Sequence, residues 1–253
     1  MKIIDVNRTA KRLLLTDDPM RVKMLAAHYL EDTRLVSEAR GLCAYSGRYR
    51  DVEIACVSCG YGAAAAEIIL HELAQAGAQD VLYLGECVSL TSALKLRQLI
   101  LACGGDEGFL RLAQSLTSSS ADPASIHTVL TDDRYFLKAN NRFVQEMNNL
   151  SNHEPGSCNT HVKNNGVSSE STSAKPVHVS SAPSTSVSLV DFATEGIYRY
   201  SNANGIAALS ILTVTENIET GESVEESERQ SRLHPAASLA LETLSALPQE
   251  KTA

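Results

Sequence analysis

The sequence predicts an α/β protein whose largely parallel or mixed sheet is covered by helices on both faces. Three observations lead there. Apolar runs of strand length alternate with helix-patterned stretches along most of the chain. Hydrophobic residues make up 43% of the 253 residues, enough to bury one good core and too few for two full-sized domains. No window approaches the roughly 18 unbroken apolar residues of a membrane helix, and the first fifteen residues lack the apolar stretch and cleavage site of a signal peptide.

Arg12 to Leu15 reads as a short buried strand. Asp18 then caps a helix with Pro19 at its first position, where the missing N–H costs nothing. The helical stretch MRVKMLAAHYLED places Met20, Met24, Ala27 and Leu30 near helical spacing. Two strands follow, Leu42 to Tyr49 and Glu53 to Ser58, joined by a polar turn at Arg50 and Asp51. Gly60 and Gly62 introduce an Ala-rich helix that stops at Gly77. Next come strands Val81 to Leu84, ending at Gly85, and Leu96 to Ala102, then a short helix at Phe109 to Leu116. A strand from Ile126 to Leu130 and a helical Asn140 to Asn149 complete the first part.

Residues 151–187 differ in kind, being rich in Ser, Asn, Thr, Pro and His with scarcely an apolar side chain larger than Val. Such a composition buries too little surface to offset its ordering entropy, so a disordered low-complexity insertion within a single domain spanning residues 1–253 is expected. Beyond it come strand Ser188 to Val190, helix Ala193 to Asn204 and strand Ala207 to Val214. A closing helix runs from about Val224 to Leu247, bent or interrupted by Pro235.

Thirty acidic against twenty-two basic residues give a net charge of -8, without a basic run to neutralise phosphates, so nucleic acid is not an expected partner. The chain reads as soluble and cytoplasmic, with six cysteines as reduced, mostly buried thiols. Cys56 and Cys59 form a C-x-x-C within a strand-like run, where residues three apart point to opposite faces, so no redox pair or half metal site is expected. His153, His161 and His178 lack regular ligand spacing, and no metal is anticipated. Gly60 and Gly62 lack the third glycine and the downstream acid of a dinucleotide loop.

Three blocks carry a resemblance: LLLTDDPMRVKMLAAHYLEDTRLVSEARGLCAYSGRYRDVEIACVSCGYG, AGAQDVLYLGECVSL, and VDFATEGIYRYSNANGIAALSILTVTENIETGESVEESERQ. Together, in this order, they resemble the nucleoside phosphorylase family, which holds purine nucleoside and uridine phosphorylases and related hydrolytic nucleosidases. The likeness is nearest to the bacterial-type purine enzymes. It implies a three-layer α/β/α sandwich around a mixed, barrel-like sheet, assembled as dimers or trimers of dimers. The implied reaction is attack of phosphate on C1′ of a nucleoside, releasing free base and ribose 1-phosphate. Inorganic phosphate is the co-substrate and no cofactor is implied.

Carried over residue by residue, the resemblance makes Asp17, Asp18, Pro19 and Arg21 the phosphate loop, with Asp17 where a glycine is usual. Arg40 matches the arginine that a neighbouring subunit lends to the same phosphate. In LYLGECVSL, Tyr83 stands in place of an arginine and Glu86 in place of a hydroxyl, while Gly85 is retained as a substrate-site position. Like charges about 4 Å apart repel by roughly 4 kcal/mol at an effective dielectric of 20, so these changes predict weak phosphate binding. At the ribose, Asp191 keeps a carboxylate whereas Ala193 replaces the gripping glutamate. Phe192 and Tyr135 are either stacking walls for the base or core aromatics. Glu216 takes the place of the acid that protonates a purine, and Arg229 matches the arginine that pairs with that acid on closure.

Three readings follow from these residues. The first is a nucleoside phosphorylase with a rearranged site, favouring purines because of Glu216. The second is a hydrolytic nucleosidase, for which Tyr83 and Glu86 are tolerable and Ala193 is not. The third is a member without catalysis that binds a ligand or partner through the retained fold.

Overall fold

The computed structural model describes residues 10–118, 120, 123–132, 188–231 and 234–248. The element order is β1 (Arg12–Thr16), α1 (Pro19–Tyr29), β2 (Glu31–Ala39), β3 (Leu42–Tyr49), β4 (Val52–Ser58), α2 (Ala63–Gln75), β5 (Asp80–Ser89), β6 (Leu99–Ala102), α3 (Glu107–Thr117), β7 (Ser125–His127), β8 (Val129–Thr131), β9 (Leu189–Asp191), α4 (Thr194–Asn204), β10 (Ala207–Asn217), β11 (Glu222–Ser223), α5 (Glu226–Ser231) and α6 (His234–Ala246). Residues 133–187, with the expected insertion, the helix at Asn140, Tyr135 and the three polar-segment histidines, lie outside the described residues. No described helix is long and apolar enough to cross a membrane.

The strands form one mixed sheet with the path β2-β3-β4-β1-β5-β10-β6-β7, and β8, β9 and β11 attached to its side. Strands β4, β1, β5 and β10 run parallel, while β2–β3, β3–β4 and β10–β6 are antiparallel. The expected barrel-like curl does not extend to closure among the described strands: the path ends on β2 at one side and β7 at the other.

Two apolar clusters, one on each sheet face, make this a three-layer sandwich. On one face Ala66, Ile69, Leu70 and Leu73 of α2 and Ile197 and Tyr198 of α4 pack over Leu13, Leu15, Val81, Tyr83 and Leu212. On the other, Val22 and Leu25 of α1, Phe109 and Ala113 of α3, and Ala237, Leu241 and Leu244 of α6 cover Leu14, Leu82, Leu84 and Ile211. The strands alternate strictly between the two clusters, as a sheet buried on both faces requires. Arg12 is buried at the end of α6, donating to the carbonyl oxygens of Leu244 at 3.0 Å, Leu247 at 3.1 Å and Pro248 at 2.6 Å. A cation there satisfies carbonyls that the helix leaves unpaired and opposes its dipole.

Several local expectations hold. Asp18 caps α1 by accepting from the Met20 N–H at 2.7 Å, with Pro19 in the first turn. Cys56 belongs to one apolar cluster and Cys59 to the other, so the C-x-x-C sulfurs do diverge. The closing helix is interrupted before Pro235, leaving α5 and α6 as separate pieces.

Other expectations need correction. The first helix ends at Tyr29, and Glu31–Ala39, unassigned from sequence, forms strand β2. As an edge strand exposed along its first five residues, β2 has no apolar alternation to announce it. Strand β5 continues through Gly85 and Glu86 to Ser89, and the expected strand at Ile126 is two short ones. Cys43, Cys56, Cys59 and Cys87 are free and buried, as small apolar thiols are expected to be.

Gly85 has a steric reason to be glycine. A Cβ there would fall 2.4 Å from Cε1 and 2.8 Å from the hydroxyl oxygen of Tyr83, two residues back on the same face. The Tyr83 ring is itself 2% exposed and has no open space to swing into. Gly85→Ala is therefore expected to cost about 1–3 kcal/mol by overpacking. In a double-mutant cycle read by urea denaturation, Tyr83→Val should relieve part of that cost. A fully additive cycle would show that the ring is not what the Cβ meets.

Candidate functional site

The parallel strands β1, β5 and β10 end on the same edge of the sheet, where open α/β sheets place their ligands. Asp17 follows β1, Glu86 lies near the end of β5, and Glu216 near the end of β10. Helix α1 starts at this edge and carries Arg21 on its first turn.

Arg21 is the centre of the arrangement. Its side chain is buried; Nη1 donates to the Thr16 hydroxyl at 3.1 Å and to Asp17 Oδ1 at 2.9 Å, and Nη2 donates to Glu86 Oε1 at 2.5 Å. The other Glu86 oxygen, Oε2, accepts from Arg229 Nη1 at 3.2 Å, and Arg229 Nε donates to the Val224 carbonyl at 3.3 Å. Glu86 thus bridges two guanidinium groups contributed by α1 and α5. Two arginines and two carboxylates sum to zero charge.

Burial is the largest influence on Arg21 and works against its charge, yet Asp17 and Glu86 outweigh it and hold the pKa above its ordinary value. Burial also raises the Asp17 carboxyl, with Glu86 adding to the shift and Arg21 opposing it. The Tyr83 phenol is pushed far up by burial, then by Asp17. Cys59, beside Asp17, is likewise raised by burial and is no ready nucleophile.

Asp191 is fully buried at the start of α4. Oδ1 accepts from the Thr131 hydroxyl at 2.5 Å; Oδ2 accepts from the N–H groups of Ala193 at 3.3 Å and Thr194 at 2.9 Å and from the Thr194 hydroxyl at 2.5 Å. Burial raises its pKa and these four donors lower it in part. Both oxygens are engaged within the protein, joining β8 to the helix start. Ala193 is buried beside it, Phe192 is half-buried, and Glu195 is exposed on α4.

The remaining sequence candidates are dispersed. Glu216 is half-buried, in register with Ser223 of β11 and Val88 of β5, just past a bulge of the kind that re-aims a side chain. Arg229 rests on Glu86, whereas the resemblance paired it with the acid at position 216. Arg40 sits exposed on the β2–β3 hairpin tip at φ 55°, apart from Arg21's partners. Tyr135 lies outside the described residues.

Two features escaped the sequence reading. Tyr61, 67% exposed between Gly60 and Gly62, feels Asp17, Asp18 and Glu86 after burial as causes of its raised pKa, so it stands beside the charged group. The lone aromatic within G-Y-G was a usable signal. The Glu86–Arg229 contact spans 143 residues, and no local pattern could disclose it.

The chain is similar to known proteins over most of its length. Residues 11–247 match the family model described as the phosphorylase superfamily. A purine nucleoside phosphorylase of the DeoD type from Bacillus velezensis is 28% identical, with 93% of this chain and 95% of that protein aligned. The corresponding protein from Aliivibrio salmonicida is 25% identical over 92% and 93%. Among solved structures, uridine phosphorylase from Vibrio fischeri superposes with a TM-score of 0.73 at 17% identity, covering 96% of this chain and 95% of that one. The last likeness establishes the α/β phosphorylase fold.

Two stability measurements probe the buried carboxylates. Asp191→Asn keeps the shape but turns an NH₂ donor towards groups that themselves donate, so a loss of about 1–3 kcal/mol in denaturant unfolding is expected. An unchanged midpoint would remove Asp191 as the lock of α4. For Asp17, whose folded pKa lies above its ordinary 3.8, the native state binds the proton more tightly than the unfolded chain. Its contribution to stability is therefore fully present below that value and lost as pH rises through the raised one. Asp17→Asn should gain stability relative to wild type as pH climbs from about 4 to 7, and a pH-independent difference would contradict the shift.

Proposed function

The chain belongs to the phosphorylase superfamily, and from that membership we propose that it takes purine nucleosides as substrates, with phosphorolysis to free base and ribose 1-phosphate as its reaction and the phosphate half of that reaction impaired. The observation that carries the reading is the Arg21 guanidinium held between Asp17 at 2.9 Å and Glu86 at 2.5 Å. By the resemblance this arginine is a phosphate ligand. Here its charge is already matched, and a dianion at about 4 Å from either carboxylate meets roughly 4 kcal/mol of repulsion per charge pair at an effective dielectric of 20. Tyr83, fully packed against Gly85, offers bulk where a further cation is usual.

The purine preference has two supports: Glu216 as a carboxylic acid able to protonate a leaving purine, and full-length alignment with purine nucleoside phosphorylases of the DeoD type. An assembly of dimers belongs to the same reading. The exposure of Arg40 in the β2–β3 turn supports that reading.

The test follows free base from inosine, adenosine, guanosine, methylthioadenosine and uridine, with and without phosphate. Slow, phosphate-dependent release from the purine nucleosides is expected, reduced by about 10²–10⁴-fold in Glu216→Gln without loss of folding. Faster release from uridine would overturn the purine choice. Release that ignores phosphate would make the protein a hydrolytic nucleosidase. Absence of both turnover and any nucleoside-dependent rise in melting temperature would remove nucleosides altogether.

A further inference from the structure

We infer that Arg21 and Arg229 together form an anion seat whose occupant is the chain's own Glu86, and that this one side chain decides whether inorganic phosphate can bind. The inference deepens the proposed function, resting on the reading that phosphate would enter at the Arg21 end of the site. Its core is the bridging geometry: one carboxylate oxygen lies 2.5 Å from Arg21 and the other 3.2 Å from Arg229. Two oxygens of one anion shared between two guanidinium groups is how arginines clamp a phosphate or carboxylate.

Asp17 does not have this role: its carboxylate meets Arg21 on the Nη1 side, shared with Thr16, whereas Glu86 spans the two cations. Charge points the same way. With Asp17 and Glu86 both ionised, their charges oppose a ligand anion at the two arginines. Removing the Glu86 charge makes the surroundings of both arginines more positive by one unit.

Unused donors lie alongside. Arg21 Nε and the Thr213 hydroxyl are buried without hydrogen-bond partners. Thr213 is in register with Glu86 on the neighbouring parallel strand, so the two side chains share a sheet face. Glu86 with its two oxygens satisfies the terminal nitrogens but not these groups; an anion with more acceptor oxygens could engage them. A buried donor left unpaired is costly, which favours a larger anion once the seat is vacant. Glu86 is accordingly the specificity-determining residue against phosphate, and the seat uses an arginine from α5 that the resemblance assigns to the base acid.

The experiment titrates inorganic phosphate into wild type, Glu86→Gln, Glu86→Ser and Glu86→Ser with Arg229→Gln, by calorimetry and by melting temperature. Arg21 keeps Asp17 as partner in every variant, and circular dichroism checks the fold. Wild type should bind phosphate only weakly, and either single substitution should tighten that binding at least about tenfold. Adding Arg229→Gln should abolish the gain. Folded single variants that bind phosphate no better than wild type would overturn the inference, as would a gain that survives Arg229→Gln. A parallel melting-temperature series with nucleosides alone separates the two proposals: loss of that response bears on nucleoside recognition, and the phosphate titration stands independently of it.

Discussion

The Arg21 guanidinium is the constraint on which the site end of the molecule depends. It is buried on the first turn of α1, and a buried cation must be paired and hydrogen-bonded or it costs several kcal/mol. Thr16 and Asp17 meet that demand from the end of β1, and Glu86 meets it from β5. Glu86 in turn ties down Arg229, fixing α5 above the sheet edge. A single side chain therefore couples the β1–α1 turn, the central strand and the C-terminal helices. Truncating Arg21 would leave Asp17 with the Thr16 hydroxyl and Glu86 with Arg229 in place of the shared cation.

Seen through this coupling, Asp17, Tyr83 and Glu86 form a matched set with Arg21. A buried arginine calls for anions, and Asp17 and Glu86 supply them from within the chain. A second buried cation at position 83 would then have needed further partners; a phenol that packs into the apolar cluster needs none. Burying an ion pair seldom adds net stability over an apolar pair, but it leaves the arginine in place and the fold intact. That is why a single change at 86 alters the charge balance without dismantling the core.

What was legible in the sequence was whatever leaves a local or periodic trace. Asp18-Pro19 announced the start of α1, Pro235 the break before α6, and three-residue spacing in a strand the divergence of Cys56 and Cys59. Quoted blocks were enough to recognise the family. Strand β2 was not legible, because an exposed edge carries no apolar alternation. Nor was the site's wiring: the residue types at 17, 21, 86 and 229 were all singled out, but their pairing spans up to 143 residues and depends on which strand ends meet. Asp191 illustrates the same gap, since a retained carboxylate reads alike whether its oxygens face a sugar or, as in the structure, four donors of its own chain.

The alternation of β5 separates two physical effects that the sequence presents side by side. Tyr83 and Gly85 face the cluster covered by α2 and α4, whereas Leu84 and Glu86 face the side covered by α1 and α6. Tyr83 acts by volume, filling the space above Gly85. Glu86 acts by charge, on arginines that Tyr83 does not bond. Asp17 bears on both, as the partner of Arg21 and as the charge that, after burial, most raises the Tyr83 pKa. Changes at 83 and 86 should thus combine nearly additively, while any change at 17 should depend on the state of the other two. The negative charge in the opening DDP turn is therefore the link between the steric half of the site and the electrostatic half.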